Sequence, residues 1–410
     1  MSIARGLCIF VFMAVLSATV AFAGGFQLNE HGAKGMAQAG AFAARATDGS
    51  AIFWNPAGLG FQNHASAYAG VTLIMPKTSF YGPLQNNSGA ENKMNSQVFN
   101  PINGYVVYPI VDGLTAGFGV NNPYGLGTQW PDDWVGRFIT VKIDLKTFFY
   151  SPTLSYRIMD NLSVGAGLNY ATGTVTLSRK VAIASVATPA EPMVNLDLKG
   201  TGIGWTAGVM YKPTSDLSVG LSYRSAVKID ATGSADFSPN YAVLAFPVGD
   251  AAASLELPAT GFAGIAYKVS DKLTLEADYQ FVGWSSYKEL KVDFKANNTS
   301  SAAPKNYNDT YIARLGGEYD LGCLKLRGGL YFDHSPVATE HLEPLLPDAD
   351  RIGYNVGFGY ALTKNLSVDM SYLFIKFFDR KAENTIPENS FDGTYKSIAN
   401  LIGLDLEYTF

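Results

Sequence analysis

The sequence predicts an all-β membrane protein: a 14-stranded antiparallel transmembrane β-barrel, plugged by a small N-terminal hatch with short helices. The first observation behind this is a recurring segment that opens on a turn and then alternates. It runs from Asn161-Leu162-Ser163-Val164 to Tyr170, from Asp216-Leu217-Ser218-Val219 to Tyr223, and from Asn365-Leu366-Ser367-Val368 to Tyr372, with looser copies at Lys272 and Cys323. Successive side chains of a β-strand point to opposite sides, so each copy has an apolar face (Leu366, Val368, Met370, Tyr372) and a polar face (Ser367, Asp369, Ser371). The second is composition. Aromatic residues make up 13%, charged residues only 16%, and there are 42 glycines, a balance that suits strands facing lipid better than strands facing water. The third is an export leader. A secreted β-sandwich or solenoid is the alternative reading of the same strands.

The elements follow in chain order. Arg5 precedes an apolar run from Leu7 to Leu16, and Ala21-Phe22-Ala23 is a small-x-small cleavage site. Residues 1–23 therefore read as a signal peptide, the run being shorter than the roughly 20 apolar residues of a membrane anchor. Cys8 leaves with the leader, so Cys323 remains alone and no intramolecular disulfide is expected. Tight connections are expected at 110–113, 159–161, 213–216, 269–271, 320–322 and 363–365. Long polar stretches lie near 82–96, 122–136, 182–197, 233–253, 286–306, 336–349 and 381–390. Six short turns join twelve strands; a first ascent near 65–75 and a last descent near 394–410 complete fourteen, with both termini on the short-turn, periplasmic side. The last strand alternates Leu404, Leu406, Tyr408 and Phe410 against Asp405, Glu407 and Thr409. Ending on Phe410, it resembles the signal read by the outer-membrane barrel assembly machinery. Tyr170, Tyr223, Tyr372 and Tyr408 suit an interfacial aromatic girdle among outer-membrane lipids.

Residues 24–62 do not alternate. They are rich in Ala and Gly, and Pro56 and Gly58 interrupt regular structure. A segment of this size cannot build its own core, whereas a 14-stranded barrel is wide enough to need a filling. The segment is therefore read as a hatch, and 63–410 as the barrel.

At these residues the chain resembles the FadL family of outer-membrane transporters of long-chain fatty acids, which includes aromatic-hydrocarbon channels. Gly25-Phe26-Gln27-Leu28-Asn29-Glu30 resembles the family's mature N-terminus, and Asn55-Pro56-Ala57 its plug signature. Pro123-Tyr124-Gly125-Leu126, Tyr223-Arg224-Ser225 with Val227-Lys228-Ile229-Asp230, Ser335-Pro336-Val337, and Pro347-Asp348 with Asp350-Arg351 follow in order. Each motif is weak alone; their order over 24–410 is specific.

The resemblance implies outer-membrane uptake of hydrophobic molecules, foremost long-chain fatty acids. The expected route runs from a groove among the outer loops to an inner pocket, then past a rearranged hatch and sideways through the wall at a kinked third strand. It implies that Asn55, Pro56 and Ala57 hold the hatch against the third strand, and that Asn122, Tyr124 and Gly125 lie at the wall opening. Phe26, Arg179 and Lys305 are implied to line the inner pocket, Arg179 pairing with a substrate carboxylate, with packing inside the hatch as the alternative for Phe26 and a water-facing rim position as the alternative for Arg179. At Ala303-Pro304-Lys305 the chain departs from the family pattern, which keeps a neutral hydrocarbon or aromatic substrate open. Trp130, Trp134, Tyr241, Leu244 and Phe246 are candidates for the outer groove, with self-packing of the long loops as the alternative for each.

Other function classes find little support. His31, His64, His334 and His341 share no metal-ligand spacing, no phosphate loop occurs, and no cofactor is expected. In Asp333-His334-Ser335 strand neighbours would point to opposite faces, which argues against a catalytic triad and against an enzyme. A net charge of −5 gives no reason to expect a nucleic-acid partner. A diffusion porin for small polar solutes remains the competing transport reading, although porins need no hatch-sized segment before their first strand.

Overall fold

The computed structural model describes residues 24–82, 89–183, 191–240, 246–383 and 391–410. The leader expected at 1–23 lies outside them.

Fourteen antiparallel strands close into one barrel. They are β1 (Ser66–Tyr81), β2 (Glu91–Lys93 and Ile102–Val111), β3 (Leu114–Asn121 and Gly125–Gln129), β4 (Lys142–Met159), β5 (Leu162–Lys180) and β6 (Met193–Tyr211). Next come β7 (Leu217–Arg224 and Val227–Ser238), β8 (Gly249–Leu257 and Thr260–Lys268), β9 (Leu273–Val282 and Glu289–Phe294) and β10 (Thr299–Pro304 and Thr310–Asp320). The series ends with β11 (Leu324–Asp333), β12 (Arg351–Ala361), β13 (Leu366–Phe377 and Arg380–Ala382) and β14 (Gly393–Thr409). Closure is made by β1 and β14, paired from Ser66↔Thr409 to Tyr81↔Thr394. No sheet edge is left at that seam, which is what a span through hydrocarbon demands of its backbone.

Alternation explains which face is which. Leu168, Ile203, Leu221, Val356, Leu404 and Leu406 are exposed on the outside, while Asn169, Ser222, Asn355, Asp369 and Asp405 are buried inside. An outer surface this apolar belongs against lipid. All six short turns fall where expected. The outer loops are shorter than expected at 182–197, 233–253 and 286–306, because ladders continue there; Asp230–Ser238 pairs with Met193–Thr201, and Glu289–Phe294 with Thr299–Pro304. Polar side chains do not stop a strand whose backbone groups still find partners.

Inside the barrel, residues 24–62 form α1 (Ala33–Ala37), α2 (Ala51–Trp54) and a 3-10 turn (Pro56–Phe61). Its helices are too short to hold themselves together, so the wall supplies their partners. Asp278 accepts the Phe42 and Ala43 amides, each at 2.9 Å, and Glu276 accepts Ala44 N at 2.7 Å. Arg314 Nη1 donates to Ala39 O (2.7 Å), Arg224 Nη2 to Phe53 O (2.7 Å), and Asn355 Nδ2 to Met36 O (2.6 Å). The Arg224 guanidinium also lies 4.3 Å above the Phe53 ring.

Candidate functional site

β3 is broken at Asn122-Pro123-Tyr124, between its two segments. Pro123 has no amide to donate, and Asn122 turns its side chain into the ladder. Asn122 Oδ1 accepts Ile102 N at 2.8 Å, and its Nδ2 donates to Thr147 O at 2.5 Å. Below the break β3 pairs with β2 from Leu114↔Val111 to Asn121↔Asn103. Above it, Gly125–Gln129 pairs only with β4 among the described residues, and the next link to β2 is Asn95 N donating to Gln129 O at 2.7 Å. The wall therefore has a gap between β2 and β3.

The hatch leader fills the inner side of that gap. Leu28 N donates to Pro123 O (2.8 Å) and Gly125 N to Phe26 O (3.0 Å), so Phe26–Leu28 adds a short strand to the broken edge. Thr147 Oγ1 fastens the bend from the other side, accepting Tyr124 N at 3.2 Å and donating to Tyr124 O at 2.7 Å. The Tyr124 hydroxyl donates to Pro258 O at 2.7 Å.

A cavity of about 470 Å³ lies at the break. It is lined on β4 by inward-facing Leu145 and Thr147 and by outward-facing Asp144, Lys146 and Phe148. A space lined by both faces of one strand crosses the wall. Phe26, Leu28, Phe99, Asn100 and Gly125 complete much of its rim. Deeper in the lumen is a second cavity of about 60 Å³, walled by Ile143, Val175, Leu177, Leu198, Tyr287 and Tyr307, with Lys305 as the one charged residue among the described residues that line it. Phe26, Leu126, Leu145 and Leu346 line both spaces. Phe26 stands between them, edge-on to Trp284 at 4.6 Å and to Tyr287 at 5.6 Å between centroids. Room for a small ligand takes roughly 300 Å³ or more; the outer space meets this and the inner one does not.

The leader is also pinned from the loop between β11 and β12. Asp348 Oδ2 accepts Gly25 N at 2.9 Å. Burial pushes the Asp348 carboxyl above its ordinary range, opposed by Arg351 and by the Gly25 amide.

The structure thus brings Phe26 and Lys305 to the inner cavity and Asn122, Tyr124 and Gly125 to the break. Four expectations change. Arg179 lies on the inward register of β5 but above Leu177, at the exposed rim, where Nη1 donates to Phe138 O at 3.3 Å, so the rim alternative and not the pocket describes it. Asn55 does not bind the third strand. Its Nδ2 donates to Val209 O of β6 (3.1 Å) and to Ala43 O (2.8 Å), while its Oδ1 caps the 3-10 turn by accepting Ala57 N (3.1 Å). The turn sits there because β5 and β6 offer glycines. A Cβ on Gly208 would lie 2.1 Å from Asn55 Oδ1, and one on Gly165 2.4 Å from the Pro56 carbonyl carbon. Trp130 and Trp134 are buried and stacked on each other at 4.3 Å, with Trp134 packed on Phe80 and Phe391, rather than lining an open groove. Phe246 stacks on Phe237 at 4.4 Å in a separate cluster, so these loop aromatics form no common groove. Tyr241 and Leu244 lie outside the described residues. Glu343, the carboxylate that holds Lys305, carried no signal in the sequence because its partner is 38 residues away.

A closed barrel with an apolar exterior, a filled lumen and a cavity through its wall defines a plugged outer-membrane transporter. Residues 14–410 match the family model described as outer membrane protein transport protein (OMPP1/FadL/TodX), and the chain belongs to that family. It is 29% identical to the 47 kDa outer membrane protein of Pasteurella multocida, covering 95% of each chain. It is 27% identical to the long-chain fatty acid transport protein of Salmonella typhi, covering 98% of this chain and 97% of that one. Among solved structures, a Pseudomonas aeruginosa FadL homologue superposes with a TM-score of 0.84 at 22% identity, covering 94% of this chain and all of that one. The Ralstonia pickettii toluene transporter TbuX superposes with a TM-score of 0.71 at 20% identity, covering 93% and 99%. The protein is thus an outer-membrane transport protein and not an enzyme.

Proposed function

We propose that this protein takes up hydrophobic molecules, a class that includes both long-chain fatty acids and neutral hydrocarbons, by passing them from the inner cavity, past a displaced Phe26, into the gap between β2 and β3 and so sideways into the membrane. The observation that carries the reading is the 470 Å³ cavity lined by both faces of β4. Burying a methylene is worth ~0.8 kcal/mol, so an aqueous pore through the hatch would forfeit many kcal/mol that a lateral, apolar exit retains. The inner cavity's 60 Å³ is far below the roughly 300 Å³ that a small-ligand site takes; a lipid-sized ligand enters it only when Phe26 moves. Relatives named for long-chain fatty acid transport and for toluene transport support a hydrophobic substrate class. The exposed Leu, Val and Tyr bands are the lipid contact in this reading. Phe410, 70% exposed at the end of β14, is the mark for the assembly machinery.

The test is a block at the outer mouth. Asn100 is exposed and lines the cavity, so Asn100→Trp leaves the core untouched. Uptake of radiolabelled oleate by cells should drop at least about tenfold, a barrier change of ~1.4 kcal/mol, with binding to the purified protein retained. Undiminished uptake would rule out the lateral exit. A large steady ionic conductance of the intact protein in planar bilayers would favour the porin reading instead.

A further inference from the structure

Lys305 is buried at the end of the β10 extension, and Nζ donates to Glu343 Oε1; Glu343 is itself 4% exposed. Lys305 is the only charged residue among the described residues that line the inner cavity; the rest is apolar apart from Ser254, Tyr287 and Tyr307. Glu343 arrives from the β11–β12 loop, whose neighbouring residues Leu345 and Leu346 form part of the same lining. That loop is held across the lumen, Trp130 Nε1 donating to Pro344 O (3.1 Å) and Thr128 Oγ1 to Leu345 O (2.6 Å). The arrangement places a carboxylate of the protein on the one cation a ligand carboxylate would seek.

We propose that Glu343 is an internal counter-ion that sets the head-group selectivity of the inner cavity, favouring neutral hydrophobic molecules over acids of the same chain length. The inference rests on the cavity being the ligand site of the uptake route proposed above. A neutral ligand packs against the apolar wall and leaves the buried pair intact. An acid reaches Lys305 only by displacing Glu343, and an ionised carboxylate left buried without its partner is strongly disfavoured. Acid binding is therefore coupled to withdrawal of Glu343, and with it Leu345 and Leu346, from the cavity mouth. The Ala303-Pro304-Lys305 stretch, where the chain departs from the family pattern, acquires a purpose: the cation is present but already occupied.

The experiment measures binding of hexadecanoate and hexadecanol to the full barrel in lipid nanodiscs, by displacement of a spin-labelled stearate. Glu343→Gln keeps the side chain's shape and an acceptor for Lys305 while removing the competing charge. Hexadecanoate should bind about tenfold tighter or more relative to wild type, with hexadecanol changed by less than about twofold. An unchanged acid-to-alcohol ratio overturns the proposal. If that variant fails to give the heat-modifiable folded barrel, the Lys305→Met, Glu343→Gln double variant replaces the pair by uncharged groups, a change that buried ion pairs often tolerate. It should lose hexadecanoate binding at least about tenfold while keeping hexadecanol, and equal losses for both ligands would overturn the proposal. A wild-type barrel that binds neither ligand would instead remove the uptake reading on which the inference rests.

Discussion

The two halves of the lumen are built on opposite principles. Toward the short turns, the hatch is held by ionisable and polar wall side chains that bind its main chain: Glu276 and Asp278 on amides, Arg224, Arg314 and Asn355 on carbonyls. Toward the long loops, the inner cavity is lined by Leu, Ile, Val and aromatic residues, and Lys305, the one charged residue of that lining among the described residues, is paired with Glu343. Hydrogen bonds are directional and short-ranged, so the first half specifies one position for the hatch. Apolar contact is non-directional, so the second half imposes no single shape on what packs against it. Phe26 belongs to both, its main chain bonded to Gly125 and its ring set between the cavities.

Substitutions on either side of this divide should have separable effects. The largest is expected for Phe26→Ala, which removes a buried ring and joins the two cavities. Local packing should weaken by about 3–5 kcal/mol, and stopped-flow association of a fluorescent fatty acid should speed up, since no ring has to move; slower or unaltered association would show that Phe26 is not the partition. Asp278→Ala comes next. It deletes two hydrogen bonds from an ionisable acceptor, about 3 kcal/mol together, and should raise hydrogen exchange at the Phe42 and Ala43 amides with ligand affinity held. Equal exchange in variant and parent would mean that the polar half does not anchor the hatch. Thr147→Val removes both contacts to the Tyr124 main chain, about 1–2 kcal/mol. Its signature is altered uptake with unchanged inner-cavity affinity, and a change confined to affinity would place Thr147 in the wrong half. The smallest effect is expected for Arg179→Ala at the exposed rim, within about 0.5 kcal/mol. Parallel titrations of hexadecanoate and hexadecanol should coincide with wild type, and a loss selective for the acid would return Arg179 to the pocket.

Much of the container was legible from residue order. Short-turn positions, strand number and the outward set Leu404, Leu406 and Tyr408 all follow from period-two alternation, which every strand must obey locally. Strand ends above the membrane were less legible. Polar stretches such as 233–238 look like loop, yet remain strand because neighbouring strands satisfy their backbones. The site was legible only in part. Tyr124 and Gly125 could be placed through the family resemblance, and Pro123, with no amide to donate, is a local signal of a break. Arg179 could be given a face but not a height, and Trp130 and Trp134 could be called apolar but not buried. Asn55 could be assigned to the hatch, whereas its attachment to β6 depends on glycines more than a hundred residues away.

The sequence by itself therefore determined the barrel, its facing and its closure, because those rest on alternation and on turns that act within a few residues. Only the tertiary structure decided that Phe26 separates two cavities, that the wall opens between β2 and β3, and that Lys305 is held by Glu343. Each depends on a short-range contact between residues far apart in the chain. Such contacts exist only once the sheet has curled round and brought its strands to face one another.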